Sequence, residues 1–303
     1  MGIPPSIRGL IRTMRPKQWA KNGFVFVAIV FDQQLTNTDA LLAVLAAFGL
    51  FSLMASSVYL MNDLVDINRD RLHPKKKNRP LPSGQLPVNM AVTATVVFPI
   101  LSMGLALSFS PALAIVLAGY LGLQIAYSFY LKNVVLVDVF AIAAGFILRT
   151  IAGIVVIEIT NFSAWLYVCV GLLALFLAIG KRRQELLLLQ ANGGTEAATQ
   201  VRNTYKGYNL PLLDDMLRMV VTSAAIAYTL YSTEAETILV KTDPELMLLT
   251  VPFVYFGLFR YLYIIHRLGK GGDPTEVLFE DRPLQVTMAG WIGTIILLLY
   301  FIE

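Results

Sequence analysis

Long apolar runs separated by short polar breaks dominate the chain from Val25 to Ile302. Several runs approach the roughly 20 residues that a helix needs to cross a ~30 Å hydrocarbon core. Candidate transmembrane helices lie at 23–32, 40–61, 88–109, 112–130, 134–157, 162–180, 214–232, 246–265 and 284–302. The pattern therefore predicts an all-α, multi-pass transmembrane helical bundle with nine spans, the first of which is short for a complete crossing.

Lysine and arginine are distributed unevenly between the connections of these spans. Almost all loop cations lie in the N-terminal segment and in the connections 62–87, 131–133, 181–213 and 266–283. The opposite connections hold a single basic residue, Lys241. Because cytoplasmic loops carry an excess of Lys and Arg, we expect a cell-membrane protein with its N-terminus and both long loops in the cytoplasm. An odd number of spans then puts the C-terminus outside.

The composition supports a membrane protein. The 303 residues are 56% hydrophobic and 15% charged, which excludes an ordinary soluble domain. We expect one integral membrane domain over residues 1–303, with residues 1–22 forming a basic amphipathic segment on the membrane surface. The lone Cys169 excludes an intramolecular disulfide and a multi-cysteine metal site. We expect no nucleic-acid partner.

A cluster of carboxylates follows the second predicted span. The string NDLVDINRD holds Asn62, Asp63, Asp66 and Asp70. Spacings of three, four and seven residues put the three carboxylates on one helical face. Like charges so close together repel, so the cluster favours a site for a divalent cation, and Mg²⁺ fits best because it combines a few carboxylates with water and substrate phosphate. The alternative is a solvated helix end whose carboxylates pair with nearby Arg and Lys side chains.

Basic residues follow directly after the carboxylates. The string RLHPKKKNRPLPSG adds Arg71, His73, Lys75, Lys76, Lys77 and Arg79. The preference for positive charge on the cytoplasmic side explains several of these cations. A cationic rim beside a metal is also what a diphosphate requires, since its charge must be neutralised from several directions.

The string NDLVDINRD matches the NDxxDxxxD motif of the UbiA superfamily of intramembrane prenyltransferases, and Arg79, Pro80 and Gly84 continue the match. The resemblance covers the whole chain. It implies a bundle of nine helices and a Mg²⁺-dependent diphosphate site at Asp63, Asp66 and Asp70. Asn62, Lys75, Lys77 and Arg79 are expected to bind substrate beside it.

Within that superfamily, the chain resembles the subgroup of decaprenyl-phosphate 5-phosphoribosyltransferases. The likeness rests on RPKQWAKN at 15–22, DRLHPKKKNRP at 70–80, YSFYLKN at 127–133, GFILRTIAG at 145–153 and GKRRQEL at 180–186. It implies transfer of 5-phosphoribose from phosphoribosyl pyrophosphate to a polyprenyl phosphate, with release of pyrophosphate. Aromatic prenyltransferases carry a second DxxxD motif after the sixth span, where this chain has Lys181, Arg182 and Arg183.

Charged residues elsewhere are further candidates for substrate binding. Arg149 lies deep in an apolar run, where a charge costs roughly 2.5 to 3.5 kcal/mol, and Asp138 lies eleven residues earlier on the same face. We expect a shared polar cavity; a structural salt bridge of Arg149 with another helix is the alternative.

The resemblance implies phosphate contacts for Lys17, Lys21 and Asn22. Tyr127 and Lys132 are either interfacial anchors or substrate contacts, and Lys181, Arg182 and Arg149 are candidates for holding the lipid phosphate or the ribose 5-phosphate.

Three other functions stay open. The first is a prenyltransferase that moves a prenyl group from its diphosphate to an aromatic or glycerol-phosphate acceptor, which the missing second DxxxD motif disfavours. The second is a transporter or flippase of a phosphorylated metabolite, although the sequence has no repeated halves. The third is an inactive scaffold, against which the intact carboxylates argue.

Overall fold

The computed structural model describes residues 4–72, 76–157, 159, 163–201, 203–234, 244–269 and 274–302. All regular secondary structure in these ranges is helical, which confirms the all-α prediction. Helices are expected where apolar runs cross a membrane, because a backbone in lipid must satisfy its own hydrogen bonds. The α-helices in chain order are α1 (Pro5–Thr13), α2 (Val27–Phe31), α3 (Thr38–Val65), α4 (Ile67–Leu72), α5 (Val88–Phe109), α6 (Pro111–Phe129), α7 (Val137–Ile154), α8 (Ala164–Val201), α9 (Leu210–Glu234), α10 (Pro244–Met247), α11 (Val251–Arg267), α12 (Pro274–Glu280) and α13 (Arg282–Tyr300).

Seven helices of the described ranges are long and apolar enough to cross a membrane. They are Thr38–Val65, Val88–Phe109, Pro111–Phe129, Val137–Ile154, Ala164–Ala191, Glu245–Arg267 and Arg282–Tyr300. The chain is thus a multi-pass membrane protein, but the predicted count of nine spans is not confirmed.

The two remaining predicted spans differ for separate reasons. The first, at 23–32, consists of the end of a 3₁₀ stretch, Pro16–Phe26, and the five-residue α2. Neither is long enough to cross a bilayer alone. The seventh, at 214–232, does form a helix, α9, but it is not among the seven apolar spans. Its N-terminal half carries Asp214, Asp215 and Arg218, which reduce its apolar character.

The chain divides into two compact units. Unit 1 comprises Met1–Val27, Asn37–Ser128 and Leu148–Glu158. In this unit α3 packs against α5 and against the 3₁₀ stretch. Asn37 caps the start of α3, since its side-chain oxygen accepts hydrogen bonds from the backbone N–H groups of Asp39 and Ala40. A Cβ added to Gly153 would lie 2.0 Å from the carbonyl oxygen of Val25, so only glycine permits this close backbone approach.

Unit 2 comprises Ala28–Thr36, Phe129–Ile147 and Ile159–Glu303. Here α8 packs along α9, and α11 packs against α9 and α13. Buried side chains of α8, α9 and α11, such as Phe176, Leu217 and Tyr261, form an extended apolar core. The chain passes from unit 2 to unit 1 within α7. A single domain over residues 1–303 stays a prediction.

Candidate active site

The predicted carboxylates lie where α3 gives way to α4. Helix α3 ends at Val65, Asp66 leaves the helical conformation with φ −92° and ψ 3°, and α4 begins at Ile67. Asp63 and Asp70 are buried on either side of this break, at 3% and 2% exposure. Asp66, at the break itself, is partly exposed. The expectation of three carboxylates on one continuous helix therefore needs correction, because the helix is interrupted at the middle one.

Arginine side chains neutralise the two buried carboxylates. The Nη1 atom of Arg79 donates to Asp70 Oδ2 at 2.7 Å and to Asp63 Oδ1 at 3.3 Å. The same Asp63 oxygen accepts a hydrogen bond from Arg15 Nη2 at 2.6 Å. Lys76 Nζ lies 3.7 Å from Asp70 Oδ1. Removing two carboxylates from water is costly without such partners, so this group of charges is a single coupled assembly.

The site offers a divalent cation two carboxylates rather than a complete cage of protein ligands. Among the described residues, no three Asp, Glu, His or Cys side chains form a group that could hold a metal ion. Mg²⁺ rarely needs such a cage, because one or two carboxylates with water and substrate phosphates satisfy it. Asp63 and Asp70 meet this requirement. Both carboxylates contact the same atom, Arg79 Nη1, so they lie close enough together to share one cation. The metal-binding role of Asp63, Asp66 and Asp70 stays a prediction.

The N-terminal segment, residues 14–22, lies along one face of α3. Ser56 Oγ accepts from Trp19 Nε1 at 3.1 Å. Its single hydroxyl proton is shared between the carbonyl oxygen of Ser52 on the same helix, at 2.7 Å, and that of Met14, at 3.3 Å. One turn earlier on the helix, Ser52 Oγ accepts from Asn22 Nδ2 at 2.9 Å. Arg15 at the start of this segment has a left-handed backbone, with φ 54° and ψ 63°. The segment is therefore fixed at several points, and these contacts hold Arg15 over Asp63.

Arg149 is buried inside unit 1, with 6% of its surface exposed. Its Nε donates to Asn22 Oδ1 at 2.8 Å and its Nη2 donates to Tyr120 OH at 3.0 Å. The guanidinium carbon lies 5.3 Å from the ring centre of Phe51 and 4.9 Å from that of Tyr120. The predicted site residues Asn22 and Arg149 are thus in direct contact, and aromatic faces stabilise the cation between them.

Asp138 belongs to unit 2 and has partners of its own there. Arg182 Nε donates to Asp138 Oδ2 at 2.6 Å, and both side chains are almost completely buried, at 1% and 0% exposure. Tyr208 OH donates to Asp138 Oδ1 at 2.7 Å, and Arg182 also pairs with Glu185. Burial, followed by this bond to Asp138, raises the pKa of Tyr208 well above its usual value, so its hydroxyl stays a donor. The cavity that Asp138 and Arg149 are expected to share stays a prediction.

The remaining predicted site residues occupy more open positions. Lys181 is one-third exposed and lies 3.9 Å from Glu185. Lys17 and Lys77 are exposed, and Lys21, Asn62, Tyr127 and Lys132 are partly buried. Lys75 lies outside the described residues. The substrate-binding roles assigned to all these residues stay predictions.

Several side chains around these groups were not singled out from the sequence. In unit 1 they are Arg15, Trp19, Ser52, Ser56 and Tyr120, and in unit 2 Glu185 and Tyr208. A weak signal existed for the serines, because Ser52, Ser56 and Asp63 fall on one face of α3 at spacings of four and seven. Nothing in the local sequence connects Tyr208 with Asp138, which are 70 residues apart.

Comparison with known proteins adds independent information. The sequence pattern of the UbiA prenyltransferase family matches residues 23–185. A decaprenyl-phosphate phosphoribosyltransferase of Corynebacterium glutamicum is 33% identical over 296 residues, which cover 96% of this chain and 87% of that protein. The enzyme of the same name from Mycolicibacterium smegmatis is 33% identical over 310 residues, covering 98% and 95%.

Solved structures share the fold at lower identity. A UbiA homolog from Archaeoglobus fulgidus bound to DMAPP and Mg²⁺ superposes with a TM-score of 0.66 at 18% identity, over 96% of this chain and 99% of that one. A structure of digeranylgeranylglyceryl phosphate synthase gives a TM-score of 0.67 at 16% identity, over 97% and 98%. The match to the family pattern covers more than half of the chain, and the relatives are similar along nearly all of it. The chain therefore belongs to the UbiA prenyltransferase family.

Proposed function

We propose that this protein transfers 5-phosphoribose from phosphoribosyl pyrophosphate to a polyprenyl phosphate, such as decaprenyl phosphate, and releases pyrophosphate. The observation that carries the proposal is the paired burial of Asp63 and Asp70 under Arg15, Arg79 and Lys76. Such a group offers carboxylates to a divalent cation and cations to a diphosphate. The names of the relatives that are 33% identical support a polyprenyl-phosphate phosphoribosyltransferase activity.

The reaction needs charge neutralisation at the leaving group. Asp63 and Asp70, with Asp66 beside them, would hold Mg²⁺, which withdraws charge from the diphosphate as its bond to the sugar breaks. Arg79 and Lys76 carry N–H donors beside the same carboxylates and can bind diphosphate oxygens. The bond between C1 of the ribose and the diphosphate oxygen breaks, and the electron pair leaves with pyrophosphate.

The acceptor requires no general base. A phosphate oxyanion is already a nucleophile at neutral pH, so its oxygen can form the new bond to C1 without losing a proton. Positioning of the two substrates must then supply most of the catalysis. Of the candidates in unit 2, Lys181 has a side chain that is one-third exposed, whereas Arg182 is directed into the protein toward Asp138. We therefore favour Lys181 over Arg182 as a phosphate contact.

The orientation proposed from the loop cations follows the same logic. Phosphoribosyl pyrophosphate is a charged, water-soluble donor, so its site must face an aqueous compartment. We propose that the N-terminus and the end of α3 with Asp63 face the cytoplasm, as the distribution of Lys and Arg indicates.

Transfer of label into lipid tests the function. The purified protein is incubated with Mg²⁺, decaprenyl phosphate and phosphoribosyl pyrophosphate labelled in the ribose, and the lipid phase is counted. We expect label to enter the lipid, and we expect Asp63→Asn or a chelator to reduce the rate by roughly 100-fold or more, since metal-assisted charge stabilisation is worth several kcal/mol.

Asp39→Asn is the matched control, because it makes the same change at the exposed start of the same helix. It should transfer label at the wild-type rate. Absence of lipid label with the wild-type protein, together with prenylation of an aromatic acid from a prenyl diphosphate, would replace this proposal with the prenyltransferase alternative.

A further inference from the structure

Arg15 is placed over the carboxylates by an unusual backbone. Its φ of 54° lies in the left-handed region, which costs a residue with a side chain roughly 1 kcal/mol or more. The conformation occurs between α1 and the 3₁₀ stretch, immediately before Pro16. Ser56 contacts the Met14 carbonyl oxygen and the Trp19 indole, so the chain is fixed on both sides of Arg15. Arg15 is therefore held at this position by its surroundings.

Access to the buried carboxylates passes the arginines. The side chains of Arg15 and Arg79 are 34% and 33% exposed, whereas those of Asp63 and Asp70 are 4% and 3% exposed. Asp63 Oδ1 accepts from both arginines, so this single oxygen already serves two cations. A divalent cation that binds Asp63 through Oδ1 must compete with both arginines for that oxygen, and one that binds through Oδ2 must still overcome their positive charge.

Arg15 has a second contact that does not depend on Asp63. Its guanidinium carbon lies 4.9 Å from the ring centre of Tyr59, which is one turn before Asp63 on the same face of α3. An aromatic face attracts a guanidinium without using its N–H donors. If Arg15 loses Asp63, Tyr59 keeps the guanidinium beside the site with its donors available. Five N–H groups in a rigid fork are well suited to diphosphate oxygens.

We propose that Arg15 is a further substrate ligand that changes partner: it neutralises Asp63 until a divalent cation binds there, and then donates hydrogen bonds to the diphosphate of the donor substrate. The inference rests on the proposed function for the identity of that substrate. It gives the N-terminal segment a role in the order of binding, because the cation must displace Arg15 before Arg15 can bind the diphosphate.

The exchange predicts effects of opposite sign in one variant. Arg15→Gln removes a competitor of the cation, so the affinity for Mn²⁺ alone should rise by about two- to fivefold, a modest change because the Arg15 side chain is one-third exposed and Arg79 still pairs with Asp63. The same variant lacks a charged donor to phosphate, so the affinity for inorganic pyrophosphate in the presence of Mn²⁺ should fall by roughly tenfold or more. A residue with a purely structural role would not produce this pair of changes.

The experiment uses the full-length protein in detergent. Free Mn²⁺ is measured by electron paramagnetic resonance with Mn²⁺ alone. Binding of radiolabelled inorganic pyrophosphate at a fixed excess of Mn²⁺ is then measured by equilibrium dialysis, because pyrophosphate itself chelates Mn²⁺ and would remove free Mn²⁺ without the protein. Arg12→Gln is the matched control, since it removes the same charge three residues away from an exposed position on α1. It should leave both affinities within twofold of wild type. Arg15→Lys retains the charge without the fork, so Mn²⁺ affinity should stay close to wild type while pyrophosphate affinity falls in part.

Each outcome decides the proposal. Tighter Mn²⁺ binding with weaker pyrophosphate binding in Arg15→Gln supports it, and equal behaviour of Arg15→Gln and Arg12→Gln overturns it. Should Arg15→Gln fail to fold, Arg15→Lys decides, because unchanged pyrophosphate affinity in that variant contradicts the exchange. The proposed function is tested separately. If the wild-type protein transfers no phosphoribose but Arg15→Gln shows the two opposite shifts in affinity, the role of Arg15 stands and only the ribosyl donor is wrong.

Discussion

Unit 1 and unit 2 each contain buried aspartates paired with arginine, but the two groups differ in access to solvent. In unit 2 both partners of the Asp138 and Arg182 pair are hidden, at 0% and 1% exposure. In unit 1 the aspartates are hidden but Arg15 and Arg79 are about one-third exposed. A counter-ion that reaches solvent can be exchanged for another cation, whereas one inside the protein cannot be replaced without opening the fold. The partly exposed group in unit 1 suits a ligand site, and the buried pair in unit 2 suits a structural anchor.

The largest effect on stability is expected in unit 2. Arg182→Met leaves Asp138 buried without its cation, so we expect a loss of about 3–5 kcal/mol in the free energy of unfolding. Chemical unfolding of the detergent-solubilised protein measures it. The double variant Arg182→Met, Asp138→Leu removes both charges and should recover most of the loss, because an apolar pair is tolerated where a lone charge is not.

Arg218→Met is the control for this substitution. Arg218 pairs with Asp215 at the protein surface, and both side chains are at least 70% exposed. Exposed pairs contribute at most about 1 kcal/mol, so the change in stability should be small. If Arg182→Met is equally mild, the pair in unit 2 is not the closed anchor that its burial indicates, and a direct role of Arg182 at the substrate becomes the better explanation.

A smaller effect is expected at Arg79 of unit 1, and Mg²⁺ should reverse it. Arg79→Gln removes the donor shared by Asp63 and Asp70, and the loss should be about 1–3 kcal/mol because Arg15, Lys76 and solvent remain. A cation that binds only the folded protein stabilises it, by about 1.4 kcal/mol at ten times its Kd. The thermal midpoint of Arg79→Gln should therefore rise more with MgCl₂ than that of the wild type.

Arg71→Gln on α4 is the matched control, since Arg71 is exposed on the same short helix as Asp70. Its response to MgCl₂ should equal that of the wild type at constant ionic strength. Arg182→Met should show no additional response either, because its lost cation lies beyond the reach of solvent. An equal response of all variants would mean that the two arginine groups do not differ in exchangeability.

The sequence was most informative where chemistry and local spacing coincide. Asp63 and Asp70 are seven residues apart, so helical periodicity predicts that they share a face, and Arg79 follows nine residues later. The interruption at Asp66 has no comparable local signal. Apolar runs likewise predict the seven spans, whereas the spans predicted at 23–32 and 214–232 are not confirmed: the first region forms only the short α2 after a 3₁₀ stretch, and the second is a helix with a polar start.

Contacts between distant residues could not be derived in this way. Arg15 and Asp63 are 48 residues apart, and Asp138 and Arg182 are 44 apart. A single sequence shows which residues are charged but not which of them will meet, because that depends on how the helices pack. For this reason the sequence alone does not distinguish the two arginines. Arg149 contacts Asn22, Tyr120 and Phe51, whereas Arg182 contacts Asp138 and Glu185.

The smallest predicted effect concerns how firmly unit 1 holds its exchangeable arginine. Trp19→Phe removes the indole donor to Ser56, which is 3.1 Å away, and should cost about 0.5–1.5 kcal/mol, the value of one neutral hydrogen bond. A double-mutant cycle with Ser56→Ala isolates this bond, and its coupling energy should fall in the same range. Separate contacts of this modest size hold the segment more weakly than the buried ion pair holds unit 2. A cost of about 3 kcal/mol or more, comparable to that of a buried ion pair, would instead mean that the segment is fixed as firmly as the anchor of unit 2, and the contrast between the two units would be lost.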